Sequence, residues 1–169
     1  MKPSSGEVTG KTTARILVPT DFTKVVDYAM DNAMKLAGTM DAEVYLLHLV
    51  PDLDEEEVKQ RRLEADRGRA QAINARVRVE VLLRKGKIYA GIGEAAEEVG
   101  AGLIIMGTHG MRGMQFITGS RALRVITNSK VPFIVVQERG MRAAGFRSIV
   151  VPLDLLRDTK QHIGLVAGM

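Results

Sequence analysis

Short apolar runs alternate with helix-like segments along most of this chain. Five runs have the length and composition of buried strands, and they cover residues 15–21, 43–50, 77–84, 103–106 and 131–137. After the first run, apolar residues recur at helical spacing from Val26 to Ala37, and Gly38 is expected to end that helix. Strands that alternate with helices across short junctions form a parallel sheet covered by helices on both faces. The sequence therefore predicts an α/β fold with an open, five-stranded parallel sheet.

The character of each run indicates its place in the sheet. Residues 77–84 alternate between apolar and polar, which is typical of a strand whose second face or outer edge meets water, whereas 103–106 are wholly apolar and belong in the centre. Helical spacing recurs over 88–100, where Gly100 is the terminator, and over 120–129. The charged stretch 51–75 leaves two interpretations open, a solvated helix or a mobile crossover.

Composition excludes several classes of protein. Apolar residues make up 46% and charged residues 26% of the chain, and no apolar run approaches the ~20 residues of a membrane span. Cysteine is absent, and the three histidines lack ligand spacing, so we predict no disulfide, no metal site and a cytoplasmic location. The net charge of +4 is spread among acids, which favours a small anionic ligand and not nucleic acid.

The end of the chain repeats its first strand and helix. Ile16, Val18, Pro19 and Asp21 recur at a constant offset as Ile149, Val151, Pro152 and Asp154. We therefore predict four parts, namely a disordered lead-in (1–14), one complete domain (15–137), a linker (138–146) and the truncated start of a second repeat (147–169). One strand and one helix cannot enclose a core, so this tail must dock on the domain or on a partner, or remain disordered.

A glycine-rich segment, GTHGMRGMQFITGSRAL, follows the fourth run at 107–123. Glycines before a helix N-terminus let backbone N–H groups approach an anion, and the helix dipole favours negative charge there. Ser120 adds a hydroxyl donor, Arg121 a counter-charge, and His109 a group that can bond either a ligand or the loop itself. The spacing matches neither the Walker nor the Rossmann pattern. It leaves open whether this is a phosphate cradle or a plain turn.

Asp21 is the second candidate, because it comes directly after the first strand. Its carboxylate can accept hydrogen bonds from ribose hydroxyls or a base amino group, or it can cap the helix that begins near Thr23, and the two roles can coexist. Ligands of parallel sheets bind beyond the carboxyl ends of the strands. If the first and fourth strands are neighbours, the loops at 19–23 and 107–110 face one crevice.

These segments together resemble the universal stress protein family. The resemblance rests on RILVPTDFT, LLHLV, GTHGMRGMQFITGS and VPFIVV, covers 15–137, and extends to the tail as the opening of a second such domain. It implies a Rossmann-like, adenine-nucleotide-binding type of fold with strand order 3-2-1-4-5. It also implies a homodimer formed through the fifth strand (131–136). In one subclass it implies binding of ATP, with Mg²⁺, by the motif G-x2-G-x9-G-S/T.

The resemblance can be carried over position by position. Gly107 and Gly110 match the first pair of the motif, and Gly119 with Ser120 match the closing pair. Eight residues separate these pairs where the motif has nine, and Gly113 could absorb the difference through an unusual backbone conformation. The predicted nucleotide-binding residues are Pro19, Thr20 and Asp21 beside the adenosine, Val50 and Met106 beside the base, and Gly107, His109, Gly110, Gly113, Gly119, Ser120 and Arg121 in the loop.

Three functions follow as hypotheses. The first is an adenine-nucleotide-binding module in stress response or regulation, with at most slow ATP hydrolysis or autophosphorylation, because no nucleophile–base–orienter set is visible and no catalytic residue is predicted. The second is a dimeric interaction module whose loop is vestigial. The third, phosphoryl transfer with Asp21 as nucleophile, stands well behind, because the aspartate that such a loop needs two positions later is Thr23.

Overall fold

Five parallel strands form one sheet in the computed structural model, which describes residues 13–51, 55–107 and 129–137. The strand order is β3-β2-β1-β4-β5, which confirms the predicted topology. Each strand pairs in parallel register with its neighbours, so all carboxyl ends lie at one edge of the sheet. The strands are β1 (Ala14–Pro19), β2 (Ala42–Val50), β3 (Val79–Lys85), β4 (Leu103–Gly107) and β5 (Phe133–Val136).

Helices cover both faces of the sheet, as predicted. They are α1 (Lys24–Met40), α2 (Glu56–Ile73) and α3 (Ile88–Val99). Alternate residues of the central strand β1 point to opposite faces. Ile16 and Val18 share a core cluster with α1 and α2, whereas Leu17 packs in a second cluster with Ile92 and Ala96 of α3. The buried strands therefore read as continuous apolar runs because both of their faces are covered.

Helix α1 continues two residues beyond Gly38, where the sequence predicted its end. Asp41 takes the left-handed conformation at the C-cap (φ 55°), and its N–H donates to the carbonyl of Ala37. Gly38 lies inside the helix for a packing reason, since a Cβ there would overlap the Nδ2 atom of Asn74. A glycine required by close approach was thus mistaken for a helix terminator.

The charged stretch forms a solvated helix, which decides between the two interpretations of 51–75. Helix α2 buries only Leu63, Asp66 and Ala70. Its exposed side carries intrahelical ion pairs, among them Arg61 with Glu57 and Arg67 with Glu64.

The two edges of the sheet are β3 and β5. The alternating run was predicted to meet water at its second face or at its outer edge, and the structure makes β3 an edge strand that is half-buried along most of its length. β5 begins at Phe133, two residues later than predicted. Pro132 accepts a hydrogen bond from the N–H of Ile104 but has no N–H of its own to donate.

Several expectations fall on other parts of the chain. The lead-in up to residue 12, residues 120–128 of the helix predicted over 120–129, the linker (138–146) and the second repeat (147–169) lie outside the described residues. Ala14 already belongs to β1, one residue before the predicted domain start. Within the described ranges, no helix has the length and apolar character needed to cross a membrane.

Candidate functional site

A cavity of about 340 Å³ opens at the carboxyl ends of β1, β2 and β4. This is the edge at which open parallel sheets bind ligands, and β1 lies between the other two strands. The described residues that line the cavity come from the end of β1 and the turn after it, the first turn of α1, the end of β2 and the residue after it, the N-terminal parts of α2 and α3, and the end of β4. They are Pro19, Thr20, Asp21, Phe22, Val26, Leu47, His48, Leu49, Val50, Pro51, Lys59, Arg62, Ile88, Ile92, Met106 and Gly107.

The turn between β1 and α1 is fixed by Thr20. Its backbone N–H donates to the carbonyl of Leu47 at 2.7 Å, and its buried hydroxyl accepts a hydrogen bond from the N–H of Phe22 at 3.0 Å. The same hydroxyl lies 3.5 Å from Oδ2 of Asp66, a buried carboxylate of α2 that also pairs with Arg69. The turn is therefore held from β2 and from α2 at once.

Asp21 supports the start of α1. Its Oδ1 accepts hydrogen bonds from both the N–H (2.9 Å) and the hydroxyl (2.5 Å) of Thr23, the N-cap residue, whose own side chain makes no capping bond. Within the described part of the chain, Oδ2 of Asp21 makes no hydrogen bond. One carboxylate oxygen thus has a structural role, while the half-buried side chain still lines the cavity.

Phe22 forms one wall of the cavity in a backbone conformation that is rare for a bulky residue, with φ at 63°. Its ring lies 4.3 Å, centroid to centroid, from the ring of His48. The guanidinium carbon of Arg62 lies over the same ring, 4.2 Å from the centroid of Phe22, in a cation–π contact. The hydrogen bond to Thr20 and these two contacts hold the unusual turn in place.

His48 lies at this wall with one ring nitrogen engaged. Its Nδ1 is 2.7 Å from the carbonyl oxygen of Thr20, so Nδ1 carries the proton that is donated there. Burial lowers the pKa of His48; the bond to Thr20 acts in the opposite direction, and the positive charges of Lys59 and Arg62 lower it further. The ring is therefore neutral at pH 7, with Nε2 as an acceptor.

Strand β4 ends at the cavity with Gly107, a position that has no room for a side chain. A Cβ on Gly107 would lie 2.8 Å from the carbonyl oxygen of Val25 in the first turn of α1, so no larger residue fits there without movement. Met106, just before it, is fully buried. On the α3 side, Gly91 lets Leu49 pack closely, since a Cβ there would lie 3.0 Å from both of its δ carbons.

The structure brings together every predicted site residue that it describes. Pro19, Thr20, Asp21, Val50, Met106 and Gly107 all line the cavity. The remaining predicted residues, His109, Gly110, Gly113, Gly119, Ser120 and Arg121, lie outside the described residues. The role of each in binding a ligand stays a prediction.

Sequence reasoning missed the rest of the lining, namely Phe22, Val26, Leu47, His48, Leu49, Pro51, Lys59, Arg62, Ile88 and Ile92. Phe22, His48 and Leu49 adjoin predicted residues at the ends of β1 and β2, so strand-end position was a usable signal. Lys59 and Arg62 belong to the charged stretch that was interpreted as a solvated surface. In the described ranges, no three histidine, cysteine or acidic side chains group as metal ligands would.

Known proteins similar to this chain agree with the fold. The sequence model of the universal stress protein family matches residues 12–137. A universal stress protein of Methanocaldococcus jannaschii is 32% identical over 139 residues, which cover 73% of this chain and 82% of that protein. A universal stress protein of Archaeoglobus fulgidus, solved in complex with dAMP, has a TM-score of 0.59 at 24% identity, with 73% of this chain and 97% of that one covered. A universal stress protein solved in complex with cAMP has a TM-score of 0.61 at 23% identity, with 75% of this chain and 98% of that one covered. This chain belongs to the universal stress protein family.

Proposed function

We propose that this chain is a nucleotide-binding module of stress response or regulation, and that it binds an adenine nucleotide at the carboxyl ends of β1, β2 and β4. The observation that carries the proposal is the cavity itself, whose volume of about 340 Å³ lies within the range of small-molecule sites. Two proteins of the same fold have been solved with dAMP and with cAMP, which supports this class of ligand.

The lining divides into parts that suit the parts of a nucleotide. Leu49, Val50, Met106, Ile88 and Ile92 provide apolar surface for a base. Oδ2 of Asp21, which has no hydrogen bond within the described chain, can accept one from a ribose hydroxyl while Oδ1 keeps its bonds to Thr23. Gly107 leads into the segment that carries the predicted phosphate-binding residues.

Binding without rapid chemistry is the activity that this lining supports. Asp21 is the one acid among the described lining residues, and half of its carboxylate is engaged in the turn. His48 donates its Nδ1 proton to a backbone carbonyl. Since neither group is paired with a nucleophile, we expect ATP hydrolysis or autophosphorylation to be slow at most.

The decisive experiment is calorimetric titration with ATP and AMP, in the presence and absence of Mg²⁺. Asp21→Asn keeps an oxygen acceptor for Thr23 but removes the charge, so it should weaken both ligands about tenfold, as expected for one lost charged hydrogen bond. Gly110→Val and Ser120→Ala should weaken ATP more than AMP, because they change the predicted phosphate contacts.

Thr39→Ala serves as the control, because within the described residues its hydroxyl bonds to the carbonyl of Lys35 alone, on the exposed side of α1. It should leave both affinities unchanged. Absence of saturable binding to either nucleotide would refute the proposal. Binding that none of Asp21→Asn, Gly110→Val and Ser120→Ala affects would place the ligand elsewhere and refute the site.

A second candidate function is association of two copies through β5. This edge strand is apolar throughout and its Val135 is 42% exposed, so it offers an apolar edge with which a second copy could pair. We expect sedimentation equilibrium to show a dimer that Val135→Lys dissociates. A monomer at all concentrations would refute this role of the β5 edge. An interaction module that has no nucleotide site would form the dimer but would show no binding in the nucleotide titration.

A further inference from the structure

Two cations line the cavity on the side away from Gly107. Lys59 and Arg62 are one turn apart on the same face of α2, which follows β2, whereas Gly107 ends β4 on the other side of β1. Neighbouring strands lie ~4.8 Å apart, so about 10 Å separate the ends of β4 and β2. A single phosphate group bound near Gly107 is therefore too far away to contact Lys59 and Arg62 as well.

Arg62 differs from every other arginine of α2. The other three arginines each pair with a carboxylate of α2 or α1: Arg61 with Glu57, Arg67 with Glu64, and Arg69 with both Asp66 and Asp27. Arg62 has no acidic partner within the described ranges, and its guanidinium lies over the ring of Phe22 at the mouth of the cavity. The donors of Arg62 are thus available at a position of the helix that lines the cavity.

The charges of the lining are not balanced by its acids. Lys59 has one weak partner, Glu55, at 3.5 Å, and that glutamate is 68% exposed. Asp21, the acid that shares the lining with these two cations, already accepts two hydrogen bonds from Thr23 on one oxygen. Among the described lining residues, two cations thus face one carboxylate, a net charge of +1, so this end of the cavity attracts an anion.

We propose that Lys59 and Arg62 form a second anion subsite, and that the ligand is an adenosine nucleotide carrying a further phosphate on its ribose. The inference rests on the nucleotide function proposed above and specifies its ligand class. The 5′-phosphate lies towards Gly107, the ribose near Asp21, and the additional phosphate at the 2′ or 3′ position is held by the two α2 side chains. Arg62 supplies a planar pair of N–H donors for that phosphate, and Lys59 a point charge.

The test compares AMP with adenosine 2′,5′-bisphosphate and adenosine 3′,5′-bisphosphate by calorimetric titration at one ionic strength. We expect one bisphosphate to bind about tenfold more tightly than AMP, the gain typical of one added charge-assisted contact. The stronger isomer identifies the position of the phosphate. Arg62→Gln and Lys59→Gln should each reduce this advantage, and in the double variant the bisphosphates and AMP should bind with equal affinity.

Arg61→Gln is the matched control, since it removes the same charge from the adjacent position of the same helix, 77% exposed and outside the lining. It should preserve the advantage of the bisphosphate. Equal affinity for AMP and both bisphosphates, or an advantage that Arg61→Gln reduces as much as Arg62→Gln does, would overturn the subsite. In either case AMP still binds, which separates failure of the subsite from failure of the nucleotide function, where no ligand of the series binds.

Discussion

Gly107 should tolerate no side chain, because strand β4 and helix α1 touch at this point. In Gly107→Ala the new methyl would lie 2.8 Å from the carbonyl oxygen of Val25, and 3.0 Å from both its carbonyl carbon and its Cγ1. Ordinary contacts between such atoms are ~3.5–4.0 Å, so an overlap of roughly 0.5–1 Å must be relieved. The nearest atoms are backbone, which cannot rotate away, and Val25 is buried.

Relief therefore requires α1 to move from the sheet. Overpacking of this kind costs about 1–3 kcal/mol of the free energy of unfolding. For a chain of 169 residues we expect the midpoint of thermal unfolding to fall by roughly 3–9 °C. The assay is urea denaturation followed by circular dichroism, with a thermal scan of the same samples.

Gly102→Ala provides the control, because a Cβ there meets no atom within 4 Å. Its stability should stay within about 0.5 kcal/mol of the unchanged chain. If Gly107→Ala is as stable as Gly102→Ala, then α1 does not approach β4 as closely as the structure has it, and the packing reason for the first glycine of the motif is wrong.

Two further perturbations test other contacts. Because the pKa of His48 is lowered in the folded chain, its contribution to the free energy of unfolding is present above pH ~6.5 and is lost as pH falls from there to the folded-state pKa. His48→Asn keeps a donor for Thr20, so the free energy of unfolding measured in urea should depend less on pH between about pH 7.5 and 5.5. An unchanged pH dependence would contradict a buried neutral imidazole. In an Asn74→Ala background, Gly38→Ala should raise the free energy of unfolding by about 0.5–1 kcal/mol through helix propensity. In the unchanged chain, the clash between the new methyl and Asn74 should offset that gain. Equal effects in both backgrounds would show that Asn74 is not the reason for a glycine at this position.

The fold was predictable because burial on both faces leaves a simple signature. β1, β2 and β4 lie inside the sheet and read as continuous apolar runs, while β3 meets water at an edge and alternates. Strand order is not contained in any single run, and it came from the family resemblance. Errors occurred where a local signal had a non-local cause, as at Gly38, whose reason is a side chain packed from the end of α2.

The candidate site was predictable at the strand ends and less so elsewhere. Asp21 and Met106 could be found because parallel strands bring their carboxyl ends to one edge. Arg62 could not, because a charged helix offers no pattern that separates a residue facing a cavity from one facing solvent. The three-dimensional structure distinguishes the two, because Arg61 pairs with Glu57 whereas Arg62 lies over the ring of Phe22 in the cavity lining.

The different chain lengths between paired strands also favour an order in which the strands assemble during folding. Val44 pairs with Val79 across a modest stretch of chain, whereas Ile16 meets Leu103 only after a loop more than twice as long has closed. The longer closure costs roughly 1 kcal/mol more in chain entropy, which favours assembly of β1, β2 and β3 with α1 and α2 before β4 docks. A nascent chain would then hold the Asp21 and Arg62 walls first, and would acquire a closed pocket only when Gly107 arrives beside Val25. Ligand capture would thus be the last property gained during synthesis and the first lost when the sheet begins to open.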